Sequence, residues 1–355
     1  MISCATRRDV AGSSVIQDNI AIIESPLPPA RQTQKTPIET VLELIKTGQA
    51  QIEKFLQAGT ANLAAEGVKD VRQIEITGKT IYGGNEYIIY YDILNAEKTG
   101  EGLYLIPFIL EDPQNGLSLQ DELFWSPGDD EAGLLLSLDD NYFENWLEYL
   151  ELFDAYQAKL TFFTMGIIVL EDDGSLTPES AIIADFCTEA LLRGHGIGYH
   201  SVNHADLRRY SASAFYDETI GGAESFTDAG IAFSAFAYPY GFWSDWMNEI
   251  LTHVFPVTRG YGANLRFYNP QSLNSGLIIS TAIDNTLYRD EELFEDEIHL
   301  MLLIAKFYGN AVIPLTSHVI DDNAQWGITP KRLEYLLKTA SELKLRFFTY
   351  GDLAP

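Results

Sequence analysis

The sequence predicts an α/β fold: a distorted (β/α) barrel of about seven strands, preceded by an α+β extension. From about residue 126 onward, short apolar runs typical of buried strands alternate with segments of helical periodicity. Repeated strand–helix units imply a mainly parallel sheet, and this many units favour a barrel. Before residue 126 the pattern differs, with one amphipathic segment and then strand-like stretches separated by turns.

The first 35 residues are predicted to be a flexible tail or linker. Ser, Gln and Thr are frequent there, and the proline-rich stretch from Ser25 to Pro29 favours an extended chain. The start Met1-Ile2-Ser3-Cys4 resembles the end of a bacterial lipoprotein signal. This favours the cell envelope or secretion, although an ordinary reduced Cys4 is an equal alternative and a cytoplasmic location stays open.

Residues 36–125 are predicted to form an accessory region. Thr36 and Pro37 are typical of a helix start, and apolar spacing predicts an amphipathic helix that continues to about Leu63. Strand formers follow between Val71 and Leu110. No motif in this region predicts a role.

The barrel domain is predicted to occupy residues 126–355. Helices are expected at 145–155, 178–192 and 212–229, because apolar residues recur there at helical spacing. The predicted strands are 133–138, 160–163, 197–199, 233–238, 278–280, 312–315 and 346–348.

The charge excludes several classes of partner. The chain has 355 residues, with 23 Lys and Arg against 51 Asp and Glu, and a net charge of −28. Nucleic acid and anionic membrane surfaces would repel such a chain. Two cysteines are too few for a disulfide framework or a Cys-based zinc site. No apolar run approaches the ~20 residues that a transmembrane helix needs.

Unusual polar groups follow three of the predicted strands, where functional residues of parallel α/β folds collect. They are Asp139-Asp140, the pair His200 and His204, and Ser317-His318. Two imidazoles four residues apart can converge on one ion, although exposed or capping histidines are the commoner reading. Adjacent carboxylates usually form a turn or helix cap. Two His and one carboxylate would leave open positions on a zinc ion, as catalytic sites require.

The order of these pieces resembles the polysaccharide deacetylases of carbohydrate esterase family 4. The most specific match is to the family motif G-H-x-I-G-x-H-[ST]-x-x-H, and the resemblance spans about 130–355. The matching segments are Ser137–Asp140, Ala158–Gly166, Gly194–His204, Phe236–Gly241 and Leu315–His318.

The resemblance implies a role for each matching position. Asp140, His200 and His204 would hold a divalent metal, usually zinc. Asp139 would be the general base for the attacking water, and His318 the general acid for the leaving nitrogen. The backbone N–H of Tyr240 would stabilise the oxyanion. For His318, the alternative is a rim histidine bonded to a backbone carbonyl.

The sequence departs from the family pattern at three places. Ala237 stands where the family usually has an arginine that holds the catalytic aspartate, and Arg259 or Arg266 could replace it from another segment. Thr316 stands where a leucine usually lines the acetyl pocket. No clear fourth motif is visible, and Asp284 is the candidate partner of His318.

Aromatic residues near these motifs suggest sugar stacking, with a core or barrel-edge role equally open for each. The expected substrate-binding residues are Trp243, Trp246, Pro239 and Leu315, while Trp125 and Trp326 flank the first and fifth motifs.

We therefore expect a metal-dependent hydrolase that acts on a non-peptide C–N bond and removes acetyl groups from a polysaccharide or oligosaccharide. N-acetyl is favoured over O-acetyl. Two alternatives stay open. One is a carbohydrate-binding protein whose catalysis was lost with the motif arginine. The other is a glycoside hydrolase with two carboxylates about 5–10 Å apart and no metal.

Overall fold

The computed structural model describes residues 35–100, 102–270, 276–288 and 290–353. The predicted tail, including Cys4, lies outside these residues except for Lys35. The described residues from Pro37 onward form one compact unit. No helix within the described ranges is long and apolar enough to cross a membrane.

The accessory region consists of one helix and an antiparallel sheet. Among residues 35–100 and 102–125, the helix α1 (Pro37–Lys46) precedes six strands. Alternate residues of the central strands are buried, as expected for a sheet with one face against a core. The strands are β1 (Glu53–Gln57), β2 (Glu75–Tyr82), β3 (Asn85–Tyr91), β4 (Glu97–Gly100), β5 (Leu103–Asp112) and β6 (Leu117–Trp125).

The predicted helix to Leu63 is wrong beyond Lys46. Gly48 adopts a φ of +70°, which ends the helix, and the chain then enters β1. Phe55, whose spacing fits the apolar face of the predicted helix, lies on β1 opposite Thr77 and is exposed. Its apolar spacing was coincidental, because strand pairing decides which side of β1 is buried.

Seven parallel strands of the described chain close into a ring. Each pairs with its chain neighbour, and β13 pairs with β7 to complete the barrel. The strands are β7 (Gly133–Asp139), β8 (Thr161–Thr164), β9 (Gly196–Tyr199), β10 (Ala235–Ala237), β11 (Val257–Gly262), β12 (Leu277–Ala282) and β13 (Val312–Ser317).

Helices and short strands surround this ring. Between α4 and α5 the chain forms one π-helical turn at Asp217–Gly221, within the single helix that the sequence predicts there. The helices are α2 (Phe143–Ala155), α3 (Pro178–Leu192), α4 (Ala212–Tyr216), α5 (Gly222–Asp228), α6 (Asp245–Leu251), α7 (Glu291–Tyr308) and α8 (Pro330–Glu342). The further strands are β14 (Val319–Ile320), β15 (Gly327–Ile328) and β16 (Arg346–Phe348).

The predicted barrel of about seven strands is confirmed, but its membership differs from the prediction in two places. β16 pairs with the first half of β7, Gly133–Leu135, below the point where β8 joins, so it lies outside the closed ring. β11 takes its place in the count. β11 was not predicted from the sequence, because this strand contains Arg259 and two glycines, which are unusual in a buried strand.

The accessory sheet packs on the outside of the barrel through aromatic rings. Tyr91 of β3 and Trp125 of β6 each meet Phe307 of α7 edge to face, at centroid distances of 4.8 and 5.2 Å. Lys54 of β1 lies 4.1 Å above the same ring. Phe307 therefore joins the inner face of the sheet to the barrel helices.

His195, which follows α3, is a structural residue of the barrel wall. It is buried against Phe153 and Phe162, and its Nδ1 accepts a 3.4 Å hydrogen bond from the Leu160 N–H. Burial lowers the pKa of His195 to about 4. The folded state therefore holds the neutral ring and resists protonation.

We expect His195 to make stability depend on pH between 6.5 and 4. Its contribution is complete above the unfolded pKa of ~6.5 and is lost as pH falls toward the folded pKa, by up to about 3 kcal/mol. In chemical denaturation with chelator present, His195→Gln should flatten this part of the stability curve. The control is His253→Gln, because His253 is exposed. An equally steep curve in both variants would contradict the assignment.

Candidate active site

Asp140, His200 and His204 converge at the C-terminal rim of the barrel. Asp140 directly follows β7, and the two histidines follow β9. Asp140 Oδ1 lies 3.6 Å from Nε2 of each imidazole. One ligand atom from each residue falls within 4.8 Å of the others. The three residues therefore present one oxygen and two nitrogens to a common point.

These three groups fit a divalent cation. Asp140 Oδ1 is buried and has no hydrogen-bond partner among the described residues. His200 Nδ1 donates to the Ala237 carbonyl at 2.8 Å, which leaves Nε2 as the free lone pair. Burial lowers the pKa of His200 to about 3, so the ring is neutral, as a metal ligand must be.

Backbone strain concentrates at this site. Six described non-glycine residues have a positive φ, and four of them are Asp140 (71°), Ser201 (70°), His204 (52°) and Tyr240 (58°). This conformation costs free energy for residues with a Cβ and persists where surrounding contacts impose it. At Asp140 and His204 it turns the side chain from the strand end toward the shared point.

Asp139 is held in place by an arginine from across the barrel. The residue is buried at the end of β7, and its Oδ2 accepts a hydrogen bond from Nη2 of Arg259 on β11. Its Oδ1 accepts a 3.4 Å hydrogen bond from the Thr316 hydroxyl. Burial opposes ionisation, but the charge and hydrogen bond of Arg259, together with the nearby His200 and His318, keep the pKa of Asp139 below its ordinary value.

Asp140 has the opposite electrostatic environment. Burial and the adjacent charge of Asp139 raise its pKa. Among the described residues, Arg259 is ion-paired with Asp139 and no arginine or lysine pairs with Asp140, so the two carboxylates carry unbalanced negative charge. A cation at the point shared with His200 and His204 would balance it.

His318 pairs with Asp284 on the opposite side of the site. The His318 Nδ1–H donates to Asp284 Oδ1 at 3.3 Å, and the same oxygen accepts a 2.7 Å hydrogen bond from Ser317. Burial alone would lower the pKa of His318, but Asp284, Asp139 and Asp140 raise it. The Trp146 indole N–H donates to the His318 carbonyl at 3.0 Å, which fixes the backbone here.

Tyr240 lies in a tight turn after β10, at Pro239–Gly241. The centroid of its ring lies 4.5 Å from that of His204, so the turn borders the candidate metal site. Gly241 has a φ of +69°, and a Cβ there would come within 2.7 Å of the Tyr261 backbone nitrogen. The glycine is therefore what allows the turn to pack against β11.

These residues line one cavity of about 310 Å³ at the barrel mouth. Its floor contains the polar groups described above, and its walls are largely aromatic. Four of the aromatic rings remain partly exposed, as a ligand wall requires. The lining residues are Asp139, Asp140, Tyr142, His200, His204, Tyr238, Tyr240, Gly241, Arg259, Tyr261, Thr316, His318 and Trp326.

The structure brings together the predicted metal and catalytic residues but separates the predicted substrate-binding set from the cavity. Trp243 packs beside Gly260, and the Trp246 ring meets Phe215 at 5.0 Å. Neither is among the residues that line the cavity. Pro239 is buried under the turn. Leu315 faces the outer core, because side chains alternate along β13 and its neighbour Thr316 points inward.

Sequence reasoning missed Tyr142 and Tyr261. Tyr261 lies two residues after Arg259 on β11, so strand alternation places both on the inner face. This alternation could not be used at the sequence level, because β11 itself was not predicted. Tyr142 follows Asp140 by two residues, in the loop at the carboxyl end of β7, where cavity residues are expected.

Residues 128–254 match the sequence model of a family described as polysaccharide deacetylase. The resemblance to polysaccharide deacetylases is confirmed over this segment. It contains β7 to β10 and α2 to α6, and with them Asp139, Asp140, His200, His204 and Tyr240. His318, Asp284 and Arg259 lie beyond it. No curated protein matches the chain.

Solved structures similar to part of this chain include the peptidoglycan deacetylase PdaC from Bacillus subtilis, with 13% identity, TM-score 0.41 and coverage of 63% of this chain and 90% of that one. A chitin deacetylase from Colletotrichum lindemuthianum has 16% identity and TM-score 0.45, covering 64% and 89%. A family 4 carbohydrate esterase from Streptomyces lividans has 12% identity and TM-score 0.41, covering 62% and 93%.

We expect the chelator-treated protein to bind one equivalent of Zn²⁺. His204→Ala removes one of three ligands and should weaken binding by about 100-fold or more, measured by isothermal titration calorimetry. The control is His253→Ala, which removes an exposed imidazole elsewhere. Wild-type affinity in the His204 variant would exclude this ligand set.

Proposed function

We propose that this protein is a metal-dependent polysaccharide deacetylase that removes N-acetyl groups from a glycan. The observation that carries the proposal is the pairing of a three-ligand site with two differently tuned groups. Asp139 is ionised on one side, and His318 is biased toward its protonated form on the other. Two titratable groups pushed in opposite directions fit a base and an acid.

Asp140, His200 and His204 would hold a divalent cation, most simply Zn²⁺, because a mixed carboxylate–imidazole set suits that ion. When bound, such an ion polarises an acetyl carbonyl and lowers the pKa of the attacking water.

Asp139 would take the proton from the water that attacks the acetyl carbon. Its low pKa keeps it ionised and ready to accept, and the contacts to Oδ1 and Oδ2 fix its orientation. The Tyr240 turn lies at the same rim, and the Tyr240 backbone N–H would donate to the oxyanion that forms on the carbonyl oxygen.

His318 would donate a proton to the nitrogen that leaves. An amide nitrogen is a poor leaving group until it is protonated, so N-deacetylation needs an acid on the side away from the base. Asp284 raises the pKa of His318 and orients its ring through Nδ1, which leaves Nε2 as the donor. This arrangement supports N-acetyl over O-acetyl as the substrate group.

The cavity walls favour a sugar ring as ligand. Tyr142, Tyr261 and Trp326 present partly exposed aromatic surface around the polar floor. Apolar ring faces stack on the apolar faces of sugars, while hydroxyl groups remain available to polar partners. An acetylated polysaccharide substrate favours the cell envelope or secretion as the location.

The alternatives find less support in the geometry. Arg259 occupies the place beside Asp139 that the missing motif arginine would fill, which removes the reason to expect a catalytically impaired binder. A glycoside hydrolase needs a protonated carboxylic acid and a carboxylate on opposite sides of the scissile bond. Asp139 is held ionised, and Asp140, whose pKa is raised, directs its Oδ1 at two imidazole nitrogens 3.6 Å away, as a cation ligand would. Asp284 has its Oδ1 engaged with Ser317 and His318.

We expect Asp139→Asn to lower kcat for acetate release from an N-acetylated oligosaccharide by about 10³-fold, because the base is lost while the shape is kept. Zn²⁺-loaded enzyme, an acetate assay and a thermal melt would measure this. Asp322→Asn, at an exposed carboxylate, is the matched control. Full activity in folded Asp139→Asn would reject the assigned base.

We expect Trp326→Ala and Tyr142→Ala to raise KM by about fivefold each with a smaller change in kcat, since stacking contributes about 1 kcal/mol per ring. Initial-rate kinetics on a glycan of several sugars would test this. Trp243→Ala is the control, because Trp243 is partly exposed but lies outside the cavity lining. A larger rise in KM for Trp243→Ala than for the two cavity variants would indicate that the glycan binds on another face of the protein.

A further inference from the structure

Arg259 is one of the largest fully buried side chains of the described chain. Its guanidinium lies in the barrel interior, 5.0 Å from the centre of the Phe163 ring, and forms the ion pair with Asp139. Burying a guanidinium is costly unless a carboxylate and further contacts compensate. The buried guanidinium is therefore expected to have a specific role, and its ion pair with Asp139 indicates which one.

We propose that Arg259 is the positioning residue for Asp139, and that β11 supplies from position 259 the group that position 237 of β10 lacks. Ala237 and Arg259 are paired in register on adjacent parallel strands, so they lie at the same height in the barrel. The inference rests on the proposed function for its catalytic consequence, while its structural part stands on the ion pair.

The closed ring explains why the two positions are interchangeable. Counted through β8 and β9, β10 is the third strand from β7; counted through β13 and β12, β11 is also the third. Both strands therefore face β7 across the barrel. An arginine that points inward from position 237 or from position 259 would therefore approach the same carboxylate, but from two neighbouring strands.

The pairing of β10 and β11 also leaves room for an exchange. Ala237 belongs to the inner cluster that contains Phe163 and Tyr350, so its side chain points into the barrel. Removing the Arg259 side chain would vacate volume beside it. An arginine placed at position 237 could then fill that volume and restore the charge without adding to the packed interior.

The contact would act by fixing which Asp139 oxygen accepts the proton. The guanidinium holds Oδ2, while Oδ1 receives only the 3.4 Å hydrogen bond from Thr316. Without Arg259, Asp139 would keep only the Thr316 hydrogen bond and would be oriented less firmly. Loss of orientation lowers kcat, whereas removal of the nearby positive charge strengthens cation binding.

The test compares Arg259→Ala with the exchange variant Ala237→Arg/Arg259→Ala. In Arg259→Ala, kcat should fall about 100-fold with KM little changed. Zn²⁺ binding should tighten by about fivefold, and the melting temperature of the chelator-treated protein should fall. The exchange variant should recover kcat to within about tenfold of wild type, with wild-type Zn²⁺ affinity and melting temperature. Arg259→Lys, which keeps the charge but loses the planar fork, should recover only part of kcat.

Three outcomes would overturn the proposal: a wild-type kcat in folded Arg259→Ala, weaker Zn²⁺ binding in that variant, or an exchange variant that melts no higher than Arg259→Ala. If the wild-type protein releases no acetate from the N-acetylated probe, the proposed function fails by itself. The Zn²⁺ titration and the melting curves then still decide whether the ion pair can be moved between the strands.

Discussion

The ion pair between Asp139 and Arg259 is the interaction on which the rest of the site depends. It crosses the barrel interior and joins the end of β7 to β11, so it forms only when the ring is closed. Two buried charges can remain ionised there because each compensates the other. The pair helps to keep Asp139 charged, and burial together with that adjacent charge raises the pKa of Asp140. The two neighbouring aspartates therefore differ in pKa partly because only Asp139 is ion-paired with Arg259.

The second constraint is the backbone at the rim. Strand ends in a barrel point outward along the axis, and a side chain must be turned back to meet others across the opening. Asp140, His204 and Tyr240 achieve this with a positive φ. Such conformations are unfavourable alone and survive because packed neighbours impose them, as Gly241 against Tyr261 illustrates. The packing of the barrel thus compensates the free-energy cost of the strained backbone that orients the site residues.

The sequence predicted much of this site because its residues lie in short local patterns. His200 and His204 are four apart, Asp139 and Asp140 are adjacent, and each group directly follows a strand that apolar runs reveal. Patterns of this kind survive without knowledge of contacts. The predicted sugar-binding residues Trp243, Trp246 and Leu315 did not reach the cavity lining, because their positions depend on the path of a loop and on the inward or outward register of β13. Proximity along the chain does not determine either.

By itself the sequence determined the fold class and the strand ends that carry the polar groups, since both depend on periodicity or spacing within a few residues. The resemblance to a known family added the predicted ligand set of Asp140, His200 and His204, which the structure brings together. Only the tertiary structure decided which arginine meets Asp139. It also decided that Asp284 supports His318, and that Tyr142, Tyr261 and Trp326 form the cavity wall. The sequence separation between Asp139 and Arg259 is 120 residues. Their contact arises because a closed ring of described strands places β7 and β11 opposite each other, and no local pattern encodes that closure.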